Sequence, residues 1–318
     1  MISVLAPLAN ADIFSLTNTE QEKIFNEAEN WIDAMPDGLQ DKISDAVAHS
    51  QHGFYAELNL FRNIADTTGI GKYKVNVTDL QTEKGVKFRW YVGKGTTKGI
   101  KPLLVYFHGG GWSMGSVATT DKFCRALASE GKVNVISVEY PLVPEYPYPA
   151  GILSSVETVE YIFKEATKFG TDSHLISLGG DGAGGNVAME VSLRLPEKYK
   201  VKSLVLYYPL VQTTGILDPS SKREFGRGYG FDSRVWEAYI SVYNNKSRLD
   251  YGKLPPLLVI SAGRDIVAPQ GKALKSVVAG SKHVIFEGAL HGFLTDGQQN
   301  TAFAKAVAIT DHFLTGIK

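Results

Sequence analysis

Six short, mostly apolar runs, separated by segments of helix length, constrain this chain more than any other feature. They are PLLVYF (102–107), VNVISV (133–138), HLISLG (174–179), SLVLYY (203–208), PLLVIS (256–261) and HVIFEG (283–288). Runs this short and this apolar suit strands covered on both faces. Helices fit near 120–130, 150–169, 184–195, 269–280 and 300–315. The alternation argues for an α/β fold with a doubly wound, mostly parallel sheet flanked by helices. Before it, YKVNVTDL and VKFRWYVG alternate around Glu83-Lys84-Gly85, which reads as a hairpin.

Two stretches break the pattern. Residues 11–65 carry helical spacing: Thr19-Glu20-Gln21-Glu22 offers a capping start, and Ile24, Phe25, Ala28, Trp31 and Ile32 follow. Pro36-Asp37-Gly38 interrupts this, and a second helical stretch covers roughly 39–62. Residues 210–250 hold GRGYGFD and an aromatic helix around Trp236, Tyr239 and Tyr243. The expectation is one domain, 1–318, with a helical cap from about 1–65 and about 210–250 over the carboxyl ends of the strands.

Four motifs sit at the strand ends. His108-Gly109-Gly110-Gly111-Trp112 follows PLLVYF; its glycines let backbone N–H groups converge, which suits an oxyanion. Gly180-Asp181-Gly182-Ala183-Gly184 follows HLISLG and opens a helix, in the layout of the G-x-S-x-G nucleophile elbow. At its centre, where that layout has serine, stands Gly182, with no side chain to attack anything. Asp265, in SAGRD, and His291, in LHGF, follow the last two strands in the order nucleophile, acid, histidine. Singly, Asp265 fits a helix cap and His291 a packed core residue; together and in this order they fit a carboxylate orienting an imidazole. Gly180, Gly182 and Gly185 also match G-x-G-x-x-G. That fingerprint wants a first βα unit and an acid about 20 residues on. Here several strands precede it and SLVLYY runs into Pro209.

Composition narrows the partners. Lys+Arg and Asp+Glu both number 33, so nothing steers the chain to nucleic acid or an acidic membrane. No apolar run approaches the ~18 residues of a membrane span, and the opening MISVLAPLANADIF lacks a basic region before its broken apolar run. The expectation is a cytoplasmic protein without cofactor or metal that binds a small ester or acid; monomer and homodimer both stay open. The single cysteine, Cys124, reads as a buried helix residue.

HGGGW, VEYPLVPEYPYPA, GDGAGGN, AGRD and HGF together resemble the hormone-sensitive-lipase-like family of α/β-hydrolases. The resemblance covers about 70–310 and implies an α/β-hydrolase fold with an N-terminal helical cap. By motif it implies that Gly110, Gly111 and Ala183 supply oxyanion N–H groups and that Asp265 and His291 complete a triad. Gly182 then holds the nucleophile position, and Trp112 and Asp181 are the expected substrate contacts. Pro141 departs from the arginine of the family's YRLAPE, and the stretch after Asp265 lacks the family's second acid.

Three readings compete. The first is a short-acyl ester hydrolase by descent, inactive or strongly impaired without its serine. The second is a non-catalytic small-molecule binding protein or receptor on the same fold. The third is a hydrolase in which His291 activates water directly.

Overall fold

In the computed structural model, residues 12–53, 56–62, 64–94, 99–213, 217–229 and 231–316 are described; the opening apolar run 1–11 lies outside them. The apolar runs form strands close to their expected bounds: β3 (Leu103–Phe107), β4 (Asn134–Val138), β5 (Ile176–Asp181), β6 (Leu204–Tyr207), β7 (Leu257–Arg264) and β8 (Lys282–Leu290). The hairpin is β1 (Val75–Gln81) and β2 (Lys87–Gly93). The sheet order is β1-β2-β4-β3-β5-β6-β7-β8. β1 pairs antiparallel with β2 and β2 antiparallel with β4; the pairs from β4 through β8 are parallel.

Every residue of β3 through β6 is buried, because helices cover both faces. Strand pleating sends alternate side chains to opposite sides. Leu103, Val105 and Phe107 join one core with Val159, Val187 and Leu274, from α5 (Ala150–Lys164), α6 (Ala183–Arg194) and α9 (Ala268–Val277). Leu104 and Tyr106 join the other with Phe123, Phe303 and Ile24, from α4 (Asp121–Ser129), α10 (Asn300–Gly316) and α1 (Asn18–Ala34). Cys124 is buried in α4, as its setting suggested.

The N-terminal helices divide in their docking. α1 starts from Thr17, two residues before the expected cap. The Thr17 hydroxyl accepts from the Glu20 amide at 3.2 Å while the Glu20 carboxylate accepts from the Thr17 amide at 2.7 Å. Lys305 of α10 holds Glu20 in place at 3.1 Å, a tertiary contact that selects this T-x-x-E over the overlapping one. α1 lies along β8 and α10, with Glu27 accepting from Thr301 at 2.8 Å and Glu29 paired to Arg264 at 2.6 Å. α2 (Leu39–Ser50) packs on α8 (Ser233–Tyr243), and α3 (Ala56–Arg62) packs on α2. The segment 210–250 also carries α7 (Pro219–Phe225).

Candidate active site

β5 runs into α6 through Gly182, whose backbone stands at φ +51° and ψ −115°. This region is strained for any residue with a Cβ. The turn is tight: the Gly182 amide donates to Tyr207 O at 2.9 Å and its carbonyl accepts from the Leu210 amide at 3.0 Å. A Cβ at Gly184 would fall on the backbone carbonyl of Phe107, so α6 reaches β3 only with glycine there.

β7 and β8 deliver the acid and the base. Asp265 is buried, and its Oδ2 lies 2.7 Å from His291 Nδ1. The other carboxylate oxygen accepts from the Val267 amide at 3.0 Å, at a helix start that has no side-chain cap of its own. With Nδ1–H donating to the carboxylate, the lone pair of Nε2 faces outward. A Cβ built on Gly182 would stand 3.3 Å from that Nε2, and outside residues 181–183 it meets only the adjoining Cε1 within 4 Å. The imidazole touches two aromatic rings, Phe231 at 4.2 Å and Tyr208 at 4.7 Å between centroids.

The glycine loop after β3 curls beside the elbow, with positive φ at Gly110, Gly111 and Trp112. Asp181 ties the two together: its Oδ1 accepts from the Gly109 amide at 3.0 Å and from the Tyr106 hydroxyl at 2.8 Å. Burial pushes the Asp181 carboxyl above its ordinary range, against the pull of those donors. His108 braces the loop from behind, stacked on Tyr140 with its Nδ1 2.8 Å from Gly109 O; burial lowers its pKa. Ala183 opens α6, where first-turn amides have no intrahelical acceptor.

Gly110, Gly111, Asp181, Gly182, Ala183 and His291 share one cleft of about 310 Å³. Asp265 lies directly behind His291. Trp112 is not among the residues that line the cleft. Its positive φ turns the indole away to stack on Tyr243, 4.0 Å between centroids and 3° between planes. The rest of the cleft wall is mostly apolar: Trp31, Ile43 and Phe61 from the N-terminal helices, Phe231, Val235 and Tyr239 from the 210–250 segment. Sequence reasoning missed Tyr208 and Phe231 as partners of His291; the aromatic content of 225–243 was a signal for Phe231 alone, and Tyr208 closes the run SLVLYY. A larger groove of about 810 Å³, between the β1–β2 turn and α5, holds none of these catalytic candidates. Beside it Arg62 of α3 pairs with Glu145 at 2.6 Å, an ion pair at the loop where Pro141 stands.

The chain belongs to the α/β-hydrolase-fold family, whose model matches residues 104–295. Among its relatives is carboxylesterase NlhH of Mycobacterium tuberculosis, 45% identical over 87 residues, 27% of either chain. Arylacetamide deacetylase of Oryctolagus cuniculus is 34% identical over 179 residues, which cover 52% of this chain and 45% of that protein. The chain therefore spans from about a quarter to about half the length of these two relatives. A thermostable esterase from Pseudomonas putida superposes with TM-score 0.75 at 20% identity, covering 92% of this chain and 97% of that one. A Pyrobaculum calidifontis esterase superposes with TM-score 0.72 at 24% identity, covering 95% and 99%. These two share the fold. Among the described residues, no helix is long and apolar enough to cross a membrane.

Proposed function

We propose that this chain is a carboxylic ester hydrolase of the hormone-sensitive-lipase-like kind that lacks its nucleophile. As it stands it hydrolyses short-acyl esters very weakly or not at all. The observation that carries this reading is the placement of His291 Nε2, backed by Asp265, 3.3 Å from where a side chain on Gly182 would begin. In the Gly182→Ser form, His291 would take the hydroxyl proton and Asp265 would hold the tautomer and the charge. The amides of Gly110, Gly111 and Ala183 would receive the oxyanion.

Loss of a triad serine costs about 10⁶ in kcat, roughly 8 kcal/mol of transition-state stabilisation. The test is an assay with p-nitrophenyl acetate and butyrate on the chain and on Gly182→Ser. The reading requires a gain of at least ~10³ in the serine variant, since oxyanion stabilisation and binding alone leave ~10³–10⁴ over water. A folded variant with no gain would favour the binding-protein reading. Activity of the glycine form that disappears in His291→Ala would favour direct water activation.

A further inference from the structure

We propose that Arg264 is a positioning residue: through it the N-terminal helix α1 holds the register shift that sets His291 level with Asp265. This rests on the reading of Asp265 and His291 as acid and base, and goes beyond it in naming what keeps the two in line.

β7 and β8 pair in step from Leu258 opposite Lys282 to Ala262 opposite Phe286; the next rung is Arg264 opposite Leu290. β8 therefore spends two more residues than β7 between these rungs. Extra residues in one strand bend it and re-aim the side chains that follow. Continued in the first register, Asp265 would stand opposite Ala289. After the shift the next pair in line is Asp265 with His291, and their side chains meet at 2.7 Å.

α1 docks on this shift. In the extra stretch of β8 the Glu287 amide donates to Gln21 Oε1 at 3.1 Å. Beside it the backbone of Phe25 covers Gly288, where a Cβ would come within 2.6 Å of Phe25 Cα. On the β7 side the Arg264 guanidinium packs against the rings of Phe25 and Tyr229, 4.8 and 5.0 Å from their centroids, and pairs with Glu29 at 2.6 Å. Phe25 thus touches both strands of the shift. Only 13% of the Arg264 side chain is exposed, so the cation is sheltered where its contacts with rings and carboxylate count most. Arg264 shares a peptide bond with Asp265, and its partner Leu290 shares one with His291. A rung that slackens at Arg264 therefore moves the acid and the base together.

The experiment reads the Nδ1 proton of His291 that is hydrogen-bonded to Asp265, by proton NMR on the chain with Gly182 in place, and identifies it by its loss in His291→Gln. Its exchange with water reports how often the pair opens. Arg264→Met keeps the length of the side chain and drops its charge, and exchange should become roughly tenfold faster. Arg264→Lys keeps a cation for Glu29 and the two rings, and exchange should stay within about threefold of the parent. Glu29→Gln, at a half-exposed position on α1, should speed exchange in the same direction as Arg264→Met. Circular dichroism confirms that each variant is folded. Unchanged exchange in a folded Arg264→Met or in Glu29→Gln overturns the proposal, as does a lysine variant that exchanges as fast as the methionine one. Should Arg264→Met fail to fold, Glu29→Gln and Arg264→Lys decide. Because no serine is needed for this measurement, an inactive Gly182→Ser alongside the expected exchange rates would sink the hydrolase reading and leave the role of Arg264 standing. A parent chain without the hydrogen-bonded proton would sink both.

Discussion

Phe231 lies face to face with His291, their ring centroids 4.2 Å apart and their planes inclined by 27°. The phenyl ring comes from the segment before α8 and the imidazole from the end of β8, so this contact joins the helical layer over the cleft to the candidate base. Tyr208 adds a second ring contact, and the Asp265 carboxylate a hydrogen bond, so the imidazole is held on several sides. In the Gly182→Ser background, Phe231→Ala should lower kcat/KM about tenfold through misplacement of the base. Phe231→Leu should recover part of the loss. Steady-state kinetics on both, with circular dichroism to confirm folding, checks this; unchanged kcat/KM in a folded Phe231→Ala would show that the ring does not position His291.

Gly182→Ser should destabilise the fold by about 1–3 kcal/mol, because the serine must adopt a backbone conformation that favours glycine. The φ of +51° and the 3.3 Å approach to His291 both act in this direction. Urea denaturation of the two forms measures the sign; a more stable serine variant would contradict it.

Asp265→Asn, made in the Gly182→Ser background, should cut kcat by ~10³–10⁴ while leaving the cleft shape intact. The Asp265 carboxylate accepts at Nδ1, whereas an amide offers a donor in the same place and turns the imidazole to the wrong tautomer. Near-normal kcat would mean that another group orients His291.

Asp181 sets a pH dependence of stability. Burial raises its carboxyl above the ordinary value, so folding disfavours its charged form. The stability linked to this group is fully present below the unfolded pKa, near 4, and is lost as pH rises through the raised folded value. Asp181→Asn retains an oxygen to accept from Gly109 and Tyr106 but carries no charge to bury. It should therefore match or exceed the parent in stability at neutral pH, with the difference shrinking toward pH ~4. Denaturant midpoints at the two pH values provide the check.

Gly184→Ala should destabilise by about 3 kcal/mol or prevent folding, since the added methyl lands on the Phe107 carbonyl, a backbone group that cannot swing aside. A stability within experimental error of the parent would show that α6 and β3 can separate without cost.

Much of this architecture was legible in the order of residues. Runs such as PLLVYF and SLVLYY can satisfy their burial only as covered strands, and each is one in the sheet. HGGGW, GDGAG, Asp265 and His291 were legible because each lies at a strand's carboxyl end, where local chain order dictates position. Of these, Gly109 to Gly111, Asp181 to Ala183 and His291 line one cleft, with Asp265 behind His291. The layer over the cleft was not legible to the same degree. Helical spacing in 18–34 fits any apolar partner, and ion pairs with Arg264 and Lys305 place α1 along β8 and α10. Arg264 itself lies against Phe25 and Tyr229, residues more than 200 positions apart in the chain, and no local pattern announces that grouping. Trp112 likewise turned toward Tyr243 because a positive φ and a distant aromatic face decide its direction. Local chain order is enough to dictate the covered strands, the order of the site motifs and the missing hydroxymethyl group at Gly182. The surroundings of His291 depend instead on long-range packing, because Phe231 and Tyr208 reach it through contacts between segments far apart in the chain.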